Sequence, residues 1–386
     1  MTASRVPPHG EVNALTRAVQ RLRAGGTAII DLSESNPTQV GLRYPDGLLA
    51  ALASPQALRY EPHPLGLRAA RAAVAGEFAR RGARVDPDHL VLSASTSEAY
   101  SWLFKLLCEP GDSILVPQPS YPLFEYLSRL EAVRAVPYPL AYHGRWDVDI
   151  HTMASAPDTT RAVLAVSPNN PTGSFLSARD VEALVTICRE RRWALIVDEV
   201  FADYPIDATA PLTDIAARAE VLSFTLGGAS KSLGLPQVKL AWTLVGGPQP
   251  ARAEALSALE VIADTFLSVS TPVQVAAPDL LNAGAAVRAA ISERIRGNLA
   301  AAREIAASQP ACDLLPVEGG WSLLVRVPAR RSEEQLVLDL LEQERVLVHP
   351  GFFFDLPHEA FLVVSLLPSP DSFADGFARM LRHANS

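Results

Sequence analysis

Three polar residues in the middle of the chain could together do chemistry on an amine. Asn170 lies in the turn-forming segment SPNNPTG at 167–173, Asp198 ends the apolar run ALIVD at 194–198, and Lys231 lies in the small-residue loop GASKSLGLP at 228–236. A neutral lysine amine forms an imine with a carbonyl group. A carboxylate at the end of a buried strand needs a cationic or hydrogen-bonding partner. Together these residues predict covalent chemistry at the Lys231 amine, with a cationic or hydrogen-bonding ligand group beside Asp198.

In their order and spacing these segments resemble the fold type I pyridoxal-phosphate-dependent aminotransferases of class I/II. Asp198 follows Asn170 by 28 residues and precedes Lys231 by 33. The resemblance implies that Lys231 forms the internal aldimine with pyridoxal 5′-phosphate, that Asp198 pairs with the pyridine nitrogen, and that Asn170 binds the phenolic oxygen. The Lys231 amine, once released, would act as the base that moves the substrate proton. Alone, Lys231 would be an ordinary surface lysine and Asp198 a partner in a structural salt bridge.

Hydroxyl side chains mark a predicted helix start after the strand LVLSA at 90–94. Ser95, Thr96 and Ser97 open a helix that is predicted to run to Cys108. Such hydroxyls cap free N–H groups, which explains them without a ligand, but the same N–H groups and the helix dipole also favour a phosphate. The resemblance implies that Thr96 and Ser97 bind the cofactor phosphate.

The resemblance assigns the rest of the phosphate site to the segment around Lys231. Ser230 would supply a hydroxyl, and Lys239 would stand in place of the usual arginine, with its charge but without its two-pronged geometry. Gly228 occupies a position where a further serine is common, so one hydroxyl contact to the phosphate is lost.

Aromatic residues complete the cofactor site that the resemblance implies. Tyr121 follows Ser95 by 26 residues, where the family stacks a ring on the pyridine, although a core tyrosine is the alternative. Tyr60 would reach the cofactor phosphate of a partner subunit in a homodimer, or else be an exposed loop residue. Phe201 replaces a tyrosine that in many relatives binds the phenolic oxygen, and Tyr204 is predicted to compensate.

The substrate side of the site departs from the family. Ser35 and Asn36 lie in a turn that relatives place over the active site, although this stretch is also a plausible surface turn. Aligning on Ser365 puts Val363 where relatives carry the arginine that grips the substrate carboxylate. The carboxylate is then held elsewhere, or the substrate is an amine or a larger acid bound in another pose. Candidates for a substitute group, left unranked, are Asn36, Arg43, Arg68 and Arg326. On this basis Val363→Arg is predicted to spare cofactor binding and to improve turnover of common amino acids.

Alternating strand and helix patterns through residues 90–245 predict an α/β fold with a mostly parallel sheet. The apolar run at 162–166 suits a strand covered on both faces, and Ser177 with Asp180 predicts a capping box at the next helix. The predicted architecture is a large cofactor-binding domain at 46–275, with a mostly parallel seven-stranded-type sheet flanked by helices. Residues 1–45 and 276–386 are predicted to form a smaller α+β domain.

The composition of the chain argues against several classes of binding partner. The 386 residues carry a net charge of −8 and no basic cluster, which argues against nucleic acid. The sequence lacks an apolar stretch long enough to span a membrane and an apolar signal-peptide core. The three cysteines are far apart without metal-ligand spacing, so no metal site is predicted, and buried thiols fit a cytoplasmic protein.

The leading prediction is a homodimeric aminotransferase that moves an amino group from an amino-acid donor to a 2-oxo acid. Other pyridoxal-phosphate chemistry on the same fold is the first alternative, as a β-eliminating lyase, a decarboxylase or a cyclase. A ligand-sensing module of a transcription regulator is the second, disfavoured because no DNA-binding segment precedes residue 29. The sequence does not identify the substrate side chain.

Overall fold

A computed structural model of the chain describes residues 3–7, 12–206, 215, 218–358 and 360–386. Its strands in chain order are β1 (Ile30–Asp31), β2 (Leu90–Ser93), β3 (Ser113–Gln118), β4 (Arg134–Tyr142), β5 (Trp146–Val148), β6 (Thr160–Val166), β7 (Ala194–Asp198), β8 (Ser223–Gly228), β9 (Ala241–Gly246), β10 (Asp313–Leu314), β11 (Ser322–Arg326), β12 (Val346–Leu347), β13 (His349–Pro350) and β14 (Phe361–Ser365).

The helices of the described chain are α1 (Ala14–Ala24), α2 (Arg68–Arg80), α3 (Thr96–Leu107), α4 (Leu123–Leu130), α5 (Ala178–Arg191), α6 (Ala229–Ser232), α7 (Gln249–Phe266), α8 (Thr271–Ala283), α9 (Ala285–Ala306), α10 (Glu333–Asp339) and α11 (Pro370–Asn385). The predicted capping box is present at α5, where the Ser177 hydroxyl accepts from the Asp180 N–H and the Asp180 carboxylate accepts from Ser177. The mixed α/β class predicted from the sequence is confirmed.

The largest sheet has the strand order β2-β9-β8-β7-β6-β3-β4-β5. Strands β4, β3, β6, β7 and β8 run parallel, whereas β9 is antiparallel to both of its neighbours. The mostly parallel sheet is therefore confirmed, but it has eight strands rather than seven. The additional strand is the three-residue β5, which turns back at Gly144 and pairs antiparallel with the end of β4.

Alternating side chains of β6 pack into separate cores on the two faces of this sheet. Ala162 and Leu164 face the core that includes residues of α3 and α7, whereas Val163 and Ala165 face the core that includes residues of α5. Burial on both faces explains why the strand reads as an unbroken apolar run.

Both ends of the chain contribute to two smaller sheets. β1 pairs in parallel with β12, and β10, β11, β14 and β13 form an antiparallel sheet in that order. Residue 275, the predicted domain boundary, lies inside α8, so it does not coincide with a break between elements. In the described chain no single helix is long and apolar enough to cross a membrane. The pair α7 and α8 passes by length and composition together, but it is bent by 119°.

Candidate active site

A cavity of about 350 Å³ lies where several strands of the large sheet end. Ser95 follows β2, Asn170 follows β6, Asp198 ends β7, and Lys231 follows β8. The carboxyl ends of neighbouring parallel strands are the usual ligand position in such sheets. The predicted site residues that line this cavity are Ser35, Thr96, Ser97, Tyr121, Asn170, Asp198, Ser230, Lys231 and Lys239.

The Lys231 amine lies between aromatic rings. Its Nζ is 5.0 Å from the ring centre of Trp321 and 5.5 Å from that of Phe201. Burial lowers the pKa of Lys231 below its ordinary value of 10.5, and the Asp198 carboxylate opposes this shift. The site therefore favours the neutral, nucleophilic form of the amine more than water does.

Asp198 is buried at the end of β7 and holds two hydrogen bonds. The Tyr100 hydroxyl donates to Oδ2 at 2.7 Å, and the Val200 N–H donates to Oδ1 at 3.0 Å. Burial raises the pKa of Asp198, while these hydrogen bonds and the charge of Lys231 lower it. A cationic ligand group beside this carboxylate would compensate its desolvation.

The first turn of α3 has free donors at the cavity wall. The Ser95 hydroxyl accepts from the Glu98 N–H at 3.2 Å, so it acts as the helix cap. Thr96 and Ser97 line the cavity in that turn, where backbone N–H groups lack an intrahelical partner. Lys239 is exposed and lines the same cavity. The donors and the charge suit a phosphate group.

Asn170 and Tyr121 line the cavity as predicted. The Asn170 Oδ1 accepts a hydrogen bond of 3.0 Å from the Ser322 hydroxyl on β11, so the small antiparallel sheet also reaches the site. Tyr121 follows β3, and about half of its surface is exposed.

Three predicted site residues lie outside the cavity of this chain. Tyr204 is fully buried, and its hydroxyl donates to the Lys231 backbone carbonyl at 2.6 Å. It therefore does not take over the role of the tyrosine that many relatives carry where this chain has Phe201. The Asn36 Oδ1 accepts from the N–H and hydroxyl of Thr38. Tyr60 is 70% exposed and borders a separate small cavity, which leaves its predicted reach to a partner subunit as a prediction.

Val363 lies in an apolar cluster and not against open solvent. It is 3% exposed on β14 and packs in the core formed with Trp146, Leu315, Leu324, Phe354 and Leu356. Its cross-strand neighbour is His349, whose pKa burial lowers, so this imidazole is neutral at neutral pH. An arginine at 363 would be buried without an anionic partner among these neighbours. This packing speaks against the prediction that Val363→Arg spares cofactor binding and improves turnover, because the buried guanidinium would destabilise the fold.

The candidates for a substitute cation are also placed away from the cavity. Arg326 pairs with Asp313 at 2.5 Å, Arg68 pairs with Asp88 at 3.5 Å, and Arg43 is exposed outside the cavity wall. Within the described chain, the cationic side chains that line the cavity are Lys231 and Lys239. The described residues therefore offer a substrate carboxylate no third cation at the cavity.

Sequence reasoning missed Tyr100 and Trp321, which both line the cavity. Tyr100 lies four residues after Thr96 on α3, and this spacing places both on one helix face. That signal was available from the sequence. Trp321 directly follows Gly319 and Gly320 and directly precedes β11, and no motif in that stretch indicates a ligand site.

The chain was compared with known protein families, and the family described as "Aminotransferase class I and II" matches residues 27–371. The chain is 25% identical to the glutamate-pyruvate aminotransferase AlaA of Escherichia coli over 376 residues, which cover 95% of this chain and 93% of that protein. It is 27% identical to an alanine aminotransferase of Mycobacterium bovis over 372 residues, which cover 93% and 86%. Among solved structures, an alanine aminotransferase from Pyrococcus furiosus superposes with a TM-score of 0.88 at 22% identity, covering 99% of each chain.

Proposed function

Because the chain belongs to the class I and II aminotransferases, a pyridoxal-phosphate-dependent family, we propose that it transfers an amino group from an amino acid to a 2-oxo acid through Lys231. The observation that carries this proposal is the placement of Lys231, Asp198 and the first turn of α3 around one cavity. The relatives named as alanine and glutamate-pyruvate aminotransferases support this class of substrates.

The residues of the cavity fit pyridoxal phosphate. Asp198 would face the ring nitrogen, Asn170 the phenolic oxygen, and Tyr121 the ring plane. Thr96, Ser97, Ser230 and Lys239 would hold the phosphate. When bound, the cofactor supplies a positively charged ring that withdraws electrons from the substrate α-carbon. The volume of about 350 Å³ lies in the usual range for small-ligand sites.

Lys231 would serve first as the covalent anchor and then as the base. Both roles need an uncharged Nζ, and the burial that lowers the pKa of Lys231 below its ordinary value of 10.5 favours this form. The Trp321 and Phe201 rings lie beside Nζ, with their centres 5.0 and 5.5 Å away, and limit its contact with water. Nζ would then take the proton from the substrate α-carbon.

Asp198 would keep its charge through its own hydrogen bonds. The Tyr100 hydroxyl and the Val200 N–H both donate to its carboxylate, which favours the ionised form against burial. An ionised carboxylate at this position would hold a proton on the ring nitrogen of the ligand. Tyr100 thus joins the residues that we expect to tune the site.

The protein is further proposed to act as a homodimer in the cytoplasm, with Tyr60 contributing to the site of the partner subunit. Apolar side chains near Tyr60 support self-association. Phe266 is half exposed and stacks on Trp102 at 6.2 Å, and Trp102, Leu267 and Tyr60 border the same small cavity. An exposed apolar surface of this kind is typical of a contact between protein chains. We also propose, as predicted, a cofactor domain at 46–275 and a smaller domain formed by 1–45 and 276–386.

A single-turnover experiment tests the transaminase assignment. The holoenzyme is mixed with an amino-acid donor alone, and the 2-oxo acid product is measured per active site. A transaminase should release about one equivalent, stop, and resume when an oxo-acid acceptor is added. Continuous 2-oxo-acid formation without an acceptor would instead support a β-eliminating lyase, and continuous release of CO2 with formation of an amine would support a decarboxylase. Absence of any product with a broad donor panel, together with reversible ligand binding, would support a sensing module.

A further inference from the structure

The backbone carbonyl groups around Lys231 accept hydrogen bonds from two tyrosine hydroxyls. We call residues 229–234, which comprise α6 and the next two residues, the lysine loop. The Tyr204 hydroxyl donates to the Lys231 carbonyl at 2.6 Å and lies 3.2 Å from that of Ser232. The Tyr44 hydroxyl donates to the Gly234 carbonyl at 2.7 Å. The middle and the C-terminal end of the short segment that carries the amine are thus bonded to tyrosines distant in sequence.

The lysine loop has few means of its own to hold a fixed position. α6 is only four residues long and has no side-chain N-cap. Helices this short are not stable by themselves, because nucleation costs more than a single turn returns. The loop residues other than Lys231 and Leu233 are alanine, serine or glycine, whose small side chains offer little packing area. The loop has the backbone bonds of Leu233 to Ala229 and of Gly234 to Lys231, and contacts from neighbouring segments add to these in fixing where the Lys231 backbone lies.

Tyr204 is itself held at its backbone. Its N–H donates to the Phe201 carbonyl at 3.0 Å, and its carbonyl accepts from the Gly320 N–H at 3.0 Å. The preceding residue, Asp203, is buried and pairs with Arg80 and, at 3.5 Å, with Arg288. A side chain anchored in this way can restrain the lysine loop, because it cannot easily move with it.

Tyr44 connects the lysine loop to the N-terminal segment. The same segment contributes Ser35 to the cavity wall and β1 to the small parallel sheet. Gly234 packs closely there, since a Cβ at this position would lie 3.3 Å from the Tyr44 hydroxyl and 3.0 Å from Ile291. The hydroxyl therefore meets its carbonyl in a tight, partly buried contact.

The hydroxyl groups of Tyr44 and Tyr204 are both protonated at neutral pH. Burial raises the pKa of Tyr44 and raises that of Tyr204 well above 10.0. Each tyrosine therefore remains a hydrogen-bond donor at neutral pH.

We propose that Tyr44 and Tyr204 are positioning residues that fix the lysine loop so that Lys231 Nζ stays in its water-poor place between the Trp321 and Phe201 rings. The proposal deepens the proposed function, because it rests on the role of Lys231 as the reactive amine. Neither tyrosine needs to touch substrate or cofactor. Without the hydroxyls, the loop would shift and the amine would gain contact with water.

The test compares Tyr204→Phe, Tyr44→Phe and the double variant with Tyr138→Phe as a matched control. Tyr138 is also fully buried, and its hydroxyl donates to a backbone carbonyl, that of Leu164 at 2.9 Å, but on β6 and outside the lysine loop. The first readout uses the cofactor-free chain. Trace labelling with acetic anhydride, followed by mass spectrometry of the Lys231 peptide, gives the pH midpoint of amine reactivity.

We expect the Lys231 midpoint to rise toward 10.5 in Tyr204→Phe and Tyr44→Phe, because the amine becomes better solvated, and to stay unchanged in Tyr138→Phe. In the holoenzyme, kcat should fall by about 3- to 10-fold per hydroxyl, the range of one neutral hydrogen bond, with little change in the donor KM. If Tyr204→Phe does not fold, Tyr44→Phe, which is less buried, carries the test.

An unchanged Lys231 midpoint and kcat in the variants that fold, with a loss of stability equal to that of Tyr138→Phe, would overturn the proposal. The two hypotheses fail separately, because the labelling experiment needs no cofactor. A wild-type chain that neither binds pyridoxal phosphate nor transaminates would refute the proposed function, whereas the labelling midpoints would still report on the tyrosines.

Discussion

The packing of Val363 gives a quantitative prediction about substitution by arginine. Val363→Arg would place a guanidinium among apolar side chains on a residue that is 3% exposed. Neither the apolar side chains of this cluster nor the neutral His349 opposite supplies an anion that would pair with the charge. An uncompensated buried charge costs roughly 3–5 kcal/mol. Against a typical total stability of about 5–15 kcal/mol, this loss is a large fraction.

The assay is urea unfolding of the wild type, Val363→Arg and a control, followed by circular dichroism. The control is Val12→Arg, because Val12 is 46% exposed and the same substitution there should change the free energy of unfolding by less than about 0.5 kcal/mol. Val363→Arg should unfold at a clearly lower urea concentration or accumulate as insoluble protein. Its steady-state activity should be lower because less of it is folded.

One result would refute the packing of residue 363, and another would refute the lack of a cation for the substrate carboxylate. Wild-type stability of Val363→Arg together with a lower KM for glutamate would show that residue 363 faces the substrate. A wild-type enzyme with low-micromolar KM values for glutamate or alanine would show that a cation elsewhere, for example from a partner subunit, holds the carboxylate. Without such a cation, the missing charge-assisted pair weakens carboxylate binding by roughly 1.5–3 kcal/mol.

Four further outcomes follow from the site. Lys231→Ala should abolish turnover and the covalent labelling of the chain by pyridoxal phosphate and borohydride; label retained in that variant would exclude Lys231 as the anchor. Asp198→Asn should lose most activity yet keep some cofactor, because the ring still fits but its charge partner is gone; wild-type turnover would contradict this role, and absorbance titration measures the cofactor. Mixing inactive Lys231→Ala chains with an inactive Tyr60 variant should restore partial activity through hybrid dimers, and a fully active monomer in sedimentation would exclude shared sites. The reaction of Lys231 with acetic anhydride should increase with pH around a midpoint below 10.5, because burial disfavours the charged amine, and a midpoint at or above 10.5 would contradict the assigned desolvation.

Local patterns were enough to locate the elements that carry the chemistry. The apolar runs before Asn170 and Asp198 identify buried strands, because a strand covered on both faces has no polar face to show. The hydroxyl groups at 95–97 and the pair Ser177 and Asp180 mark helix starts, since capping is a short-range interaction. The order of these segments then placed their ends at one edge of a sheet, as the structure has them.

The sequence by itself thus indicated the fold class and the residues at the strand ends, because each depends on neighbours within a few positions. The cofactor family was indicated by a resemblance in the order and spacing of whole segments, at intervals of 28 and 33 residues. Only the tertiary structure showed which partners Tyr204, Tyr100 and Val363 contact. Tyr204 bonds to a carbonyl 27 residues away, Tyr100 reaches Asp198 across 98 residues, and Val363 is enclosed by residues from several distant elements. Such contacts depend on how whole elements pack against each other, and no local periodicity encodes that packing. Because the local sequence does not show which elements pack around residue 363, it also gave no sign that an arginine there would be buried among apolar side chains.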